Sequence, residues 1–198
     1  MAPPRKHDTD VILDATRALV LEEGPRAASV AAIAAASGAP VGTLYHRFGN
    51  RNGVLTAAWI RALERFQALV LEAAEIEDPI EAAVGMSAAS ITFGRRYPED
   101  AKLMLNLRVS DMLDGAPDTE FRERLAGMNA PLIAQVQRVA LAVYGSDGAR
   151  ETEAVARAVV DLPYATLRRH AHTGELPEWL DADLVAATRA LLATPLDA

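Results

Sequence analysis

Apolar residues recur at three- and four-residue spacing along almost all of this 198-residue chain. No run of alternating β-branched residues bounded by a hairpin turn interrupts them, so the pattern predicts an all-α protein. Start and stop residues divide it into nine helices. The first spans about Thr9 to Glu23, with Val11, Ala15, Ala18 and Leu19 on its inward face, and stops at Gly24-Pro25. Ser29 caps a short second helix that turns Val30, Ile33, Ala34 and Ser37 inward and ends at Gly38. A third short helix covers Val41 to Phe48. The fourth starts at the N-cap Asn50 and carries Leu55, Ala58, Ala62, Phe66 and Val70 to about Ala74.

The remaining five helices are punctuated as clearly. Asp78-Pro79-Ile80-Glu81 opens one with an N-cap and a proline at its first position, and it ends at Tyr97. The others span about Pro98 to Leu113, Pro117 to Tyr144, Ala149 to Thr173 and Pro177 to Ala193. There is no internal repeat and no low-complexity linker, so two parts joined through the fourth helix would be mechanically coupled.

Charge changes the picture by its distribution. The net charge is −7, yet residues 1–63 hold seven Lys or Arg against five acids, while residues 64–198 hold thirteen against twenty-two. Between Glu23 and Glu64 there is no acid at all, whereas Arg26, Arg47, Arg51 and Arg61 lie there. The absence of cysteine excludes disulfides, thiolate catalysis and cysteine-ligated zinc. The N-terminus has no signal-peptide pattern and no segment has the length of an apolar membrane span, which places the expected protein in the cytoplasm with no membrane partner.

Two short helices joined by the turn Gly38-Ala39-Pro40 form a helix-turn-helix, whose second helix enters the major groove. At 100° per residue Val41, Leu44 and Phe48 face inward. The outer side is then centred on His46, with Gly42 and Thr43 beside it and Tyr45 and Arg47 on its flanks. Short hydrogen-bonding groups over the groove floor and longer donors at its phosphate walls are what base reading requires. Tyr45 has a second reading, as a half-buried core tyrosine. Asn50 and Arg51 begin the fourth helix, where free N–H groups and the dipole favour a phosphate. Arg5, Lys6 and His7 form an arm ahead of the first helix that can reach the DNA backbone or minor groove.

Ser29 to Leu55, "SVAAIAAASGAPVGTLYHRFGNRNGVL", resembles the DNA-binding signature of the TetR family of transcriptional regulators, with its Gly-Thr-Leu-Tyr-x-x-Phe core. The resemblance implies a three-helix DNA-binding domain (residues 1–49) followed by a six-helix effector-binding and dimerisation domain (residues 50–198). It makes Thr43, Tyr45, His46 and Arg51 DNA contacts. It also implies a homodimer, bound to a double-stranded operator and released by a small-molecule effector. Ser29 stands for the usual threonine, Arg51 for the usual lysine, and Pro40 where a serine commonly caps the recognition helix.

For the effector, the stretch from Val84 to Met112 supplies Met86, Phe93, Met104 and Met112, with Asn106 and Arg108 as polar anchors. The methionines suit an ordinary core equally well, and Arg108 suits an ion pair with Asp111 or Glu99. Helices eight and nine present Val155, Val159 and Leu162, and Leu184, Ala187, Thr188 and Leu191, as the faces expected to pair in a dimer. His170 and His172, two apart on a helix, point away from each other and make no metal pair. No metal or cofactor is implied. A helical enzyme would need a nucleophile, acid–base pair or metal site, and no such motif stands out; a sequence-tolerant architectural DNA binder would need a broad basic surface, and residues 64–198 are acidic.

Overall fold

The computed structural model describes residues 8–108, 110, 113, 119–171 and 175–196. Among them lie nine helices and no strand: α1 (Thr9–Glu23), α2 (Val30–Ser37), α3 (Val41–Phe48), α4 (Arg51–Ala74), α5 (Pro79–Arg96), α6 (Pro98–Asn106), α7 (Thr119–Tyr144), α8 and α9 (Trp179–Leu192). Helix α8 is continuous through Ala149–Ala156, a π-helical turn at Arg157–Asp161, and Leu162–Ala171.

Local chemistry explains most boundaries. Asp8 caps α1 by accepting from the Asp10 N–H, Ser29 caps α2 through Ala32, and Asp78 accepts from both Ile80 and Glu81 at the start of α5. Gly38 ends α2 in the left-handed conformation, φ +69°, which a β-carbon would disfavour. The π turn has a cause in the sequence: Pro163 has no N–H and would crowd the carbonyl four residues back, so the helix widens just before it, with the Leu162 N–H donating to the Arg157 carbonyl.

One boundary and three helix faces differ from expectation. Helix α6 ends at Asn106, a weak helix former, not near Leu113, and Leu107 is already extended. Helix α1 turns Ile12, Leu13, Thr16 and Val20 inward, while Val11 is exposed and Leu19 only partly covered. Thr16 can occupy the core because its hydroxyl donates to the Ile12 carbonyl at 2.8 Å, so a polar residue marks the true inward face.

The expected dimer faces also move. Val155, Val159, Leu184 and Thr188 are buried within the chain itself, Thr188 by donating to Ser87 of α5 at 2.9 Å. α8 and α9 use those faces to close their own core against α5, because α5 is the central apolar helix of the body. Ala182, Ala186, Ala190 and Leu191 on α9 point outward instead.

Among the described residues no helix is long and apolar enough to cross a membrane.

Candidate nucleic-acid interface and effector cavity

Leu44 anchors α3, buried in a cluster with Ile12, Ile33, Ala34, Ala39, Val54 and Leu55. Around that anchor the helix presents Gly42, Tyr45 and His46 to solvent, with Thr43 and Arg47 half-buried beside them. Tyr45 is 53% exposed, which removes the reading of it as a core residue. Val41 is 42% exposed, contrary to its expected inward position; it sits at the first position of the helix, and Ala39 of the turn is buried instead. Pro40 offers no side-chain cap, but its carbonyl accepts from Thr43 at 2.9 Å, and α3 begins at Val41 regardless. Arg47 donates to the Thr9 hydroxyl at 3.1 Å, tying the recognition helix to the start of α1.

The joint between α3 and α4 is built on two glycines. Gly49 has φ +75°. Gly53, in the first turn of α4, lies so close to the end of α3 that a β-carbon there would sit 1.8 Å from the Phe48 carbonyl oxygen. Asn50 caps α4 by accepting from the Gly53 N–H at 2.9 Å, so its side chain is occupied by the fold. Arg51 is likewise engaged: Nε donates to the Ala28 carbonyl at 3.1 Å and Nη2 to the Pro25 carbonyl. The residue expected to hold a phosphate also fastens α4 to the turn between α1 and α2.

The acid-free window does not survive as a uniformly basic surface. Arg61, 8% exposed, donates to the Asp10 carboxylate at 2.8 Å and to Asp14 at 2.6 Å, both on α1. That hydrogen bond, and the charge behind it, lower the Asp10 pKa below the ordinary aspartate value despite the opposing effect of burial. A second, deeper pin lies on α6. Asp100 is fully buried and accepts from Arg17 of α1 and, at 2.7 Å, from Arg65 of α4. Burial disfavours the Arg65 charge, but Asp100 outweighs it and raises the pKa. Neither Gly53 nor Asp100 stood out in the sequence. The first reads as a poor helix residue and the second as an ordinary acid in a first helical turn; only the partners, 5 and 83 positions away, give them a role.

Beyond α4 lies a cavity of about 720 Å³, lined by α4, α5, α6, α7 and α8 and open to solvent beside the exposed Ile133, Val160 and Tyr164. Met86, Phe93 and Met104 line it, as the sequence suggested. Asn106 and Arg108 do not; both are exposed, because α6 stops before either returns to the face that carries Ala101, Met104 and Leu105 to the cavity. Met112 and His172 fall outside the described residues. The polar lining comes instead from Ser90, Asn129, Gln137, Thr152, Glu153 and Tyr164. Val159 and Val160, adjacent in sequence, both reach the cavity from the π turn, where the widened helix brings neighbouring side chains to one side.

The chain thus joins a helix-turn-helix to an all-helical body that carries a cavity. Residues 12–58 match the model of the bacterial regulatory proteins of the tetR family, so the DNA-binding domain is that of tetR-family transcriptional regulators. The fold of the whole chain agrees. It is similar to the fatty acid degradation regulator FadR of Bacillus halodurans (TM-score 0.70, 18% identity, covering 96% of this chain and 100% of that one). It is similar to PfmR, a TetR family regulator of Thermus thermophilus (0.70, 20%, 96% and 98%), and to FadR of Bacillus subtilis in complex with stearoyl-CoA (0.65, 16%, 93% and 96%). None of the curated proteins matches the sequence.

Proposed function

We propose that the protein is a cytoplasmic, ligand-responsive repressor, without catalytic activity, that binds a palindromic operator as a homodimer and is released by a small, mainly apolar molecule. The domain division falls after Gly49, at the α3–α4 joint. Gly42, Thr43 and His46 face the bases, while Tyr45, Arg47 and the N-terminal end of α4 at Asn50 and Arg51 meet phosphates. The observation that carries the reading is the position of α6. Its Ala101, Met104 and Leu105 wall the cavity, while the adjacent Asp100 holds Arg17 of α1. A ligand that moves α6 therefore moves α1, against which α2 is packed, and with α2 the α3 packed on it, so that two recognition helices no longer match successive major grooves.

The dimer forms through α8 and α9. Ala182, Ala186 and Ala190 of α9 recur every four residues and make a flat, exposed stripe that permits close helix approach, flanked by Leu191. Two tests apply. Selection of bound duplexes from a random pool should return two half-sites related by a dyad. Sedimentation should give twice the 21.2 kDa chain mass, and one charge at Ala186 should halve it. A monomeric mass for the parent protein, or a selected site without symmetry, removes the reading.

A further inference from the structure

We propose that the effector is an uncharged, largely apolar molecule bearing one carbonyl or hydroxyl group, and that carboxylates and acyl-CoA thioesters are poor ligands; this rests on the regulatory reading above. The cavity lining contains no Lys, Arg or His among the described residues, and its one charged member, Glu153, is an exposed carboxylate. On α7, Arg138 uses its donors on Gln135 at 2.8 Å and on the Ala74 carbonyl at 2.7 Å. An anionic head group seated inside the cavity, beside Ser90 and Asn129, gives up hydration and meets no countercharge among the described lining residues, a cost that burial of its alkyl chain must first offset.

The polar groups that do reach the cavity are neutral and suit a neutral partner. Ser90 of α5 is 3% exposed, lines the cavity, and makes no hydrogen bond among the described residues. The hydroxyl opens onto the cavity, so a ligand lying against it must supply the hydrogen bond that water would otherwise make. Asn129 of α7 lines the same cavity, and its Oδ1 already accepts from the buried Gln67 at 2.9 Å. That bond fixes the amide so that Nδ2 remains as a donor, which a ketone, ester or amide oxygen accepts. The volume of about 720 Å³ admits a drug-sized molecule.

The test uses the full-length protein and four probes that share one alkyl chain: methyl decanoate, decanamide, decanoate and decanoyl-CoA. Calorimetry without DNA should show the ester and amide binding, with decanoate and decanoyl-CoA at least about tenfold weaker. Ser90→Ala removes a hydroxyl that the protein itself does not use, so the fold should hold while affinity for the ester and amide falls about fivefold or more. Asn129→Leu should lower the same two affinities and blunt the preference for decanamide over decanoate; because it also leaves the buried Gln67 amide without its partner, its folding is checked first by urea unfolding. Binding of either anion as tightly as the ester, failure of both neutral probes to bind, or parental affinity in both variants overturns the proposal. Operator release is measured separately. A neutral probe that binds without releasing DNA supports the ligand class and removes the regulatory reading; release by decanoyl-CoA alone keeps the regulatory reading and overturns the ligand class.

Discussion

The recognition unit α1–α3 and the body around the cavity are held in shape by different interactions. In the first, short helices are positioned by backbone geometry and charge. Gly38 and Gly49 turn the chain, Gly53 admits a carbonyl, Arg51 grips two others, and Arg61 and Asp100 clamp α1 to α4 and α6. In the second, long helices enclose Phe66, Met86, Phe93, Met104 and other deformable side chains around empty space. Hydrogen bonds and steric contacts of the first kind have narrow geometry, whereas apolar contacts tolerate displacement. The difference teaches where a signal can originate: in the regulatory reading proposed above, the soft body yields to a ligand and the stiff unit follows α6 through Asp100.

The largest test of this contrast is Gly53→Ala. The added carbon meets backbone, not a movable side chain, so the α3–α4 joint must open; a loss of about 4 kcal/mol is expected in urea unfolding, with operator binding abolished. Asp100→Ala follows. It strands Arg17 and Arg65 beside a vacated, buried position, at an expected cost of about 3 kcal/mol, and should leave DNA release insensitive to any ligand that still binds. If both variants unfold like the parent, the stiffness assigned to the recognition unit is absent.

Finer changes separate fold from DNA contact. Arg51→Lys keeps the charge but loses the two carbonyl bonds; a loss of about 1–2 kcal/mol in stability should accompany any weakening of DNA binding. Gly42→Ala meets nothing within 4 Å, so the helix should gain about 0.5–1 kcal/mol, yet a closely approached base should reject the new methyl. Equal stability gain with unchanged operator affinity would take Gly42 out of the interface. The smallest effect belongs to Asp10. Its folded pKa lies below the unfolded value, so the unfolded chain binds more protons in that interval; the stabilisation is complete above the ordinary aspartate range and is lost as pH falls through it toward the folded value. Unfolding curves should show this acid loss diminished in Asp10→Asn.

Much of this is legible in the chain itself. Ser29, Asp78, Gly24 and Gly38 mark helix ends through interactions within a few residues, and Leu44 and His46 fall on opposite sides of α3 by periodicity alone. The DNA-facing candidates therefore emerge together, and Met86, Phe93 and Met104 emerge as cavity residues because an adaptable apolar side chain suits both a core and a pocket. What fails is the inference from a residue's type to its partner. Arg61 reads as part of a basic surface until Asp10 and Asp14 close on it from another helix, and Arg108 reads as an anchor until α6 ends before it.

Sequence by itself determined the helices, their turns and the surface that α3 presents, because capping, glycine conformations and helical period are set within about one turn of chain. Tertiary structure alone decided which face of α8 and α9 is core, which arginines are neutralised, and which polar groups line the cavity. Those depend on contacts such as Asp100 with Arg17 and Thr188 with Ser87, where groups far apart in the chain must exchange water for each other.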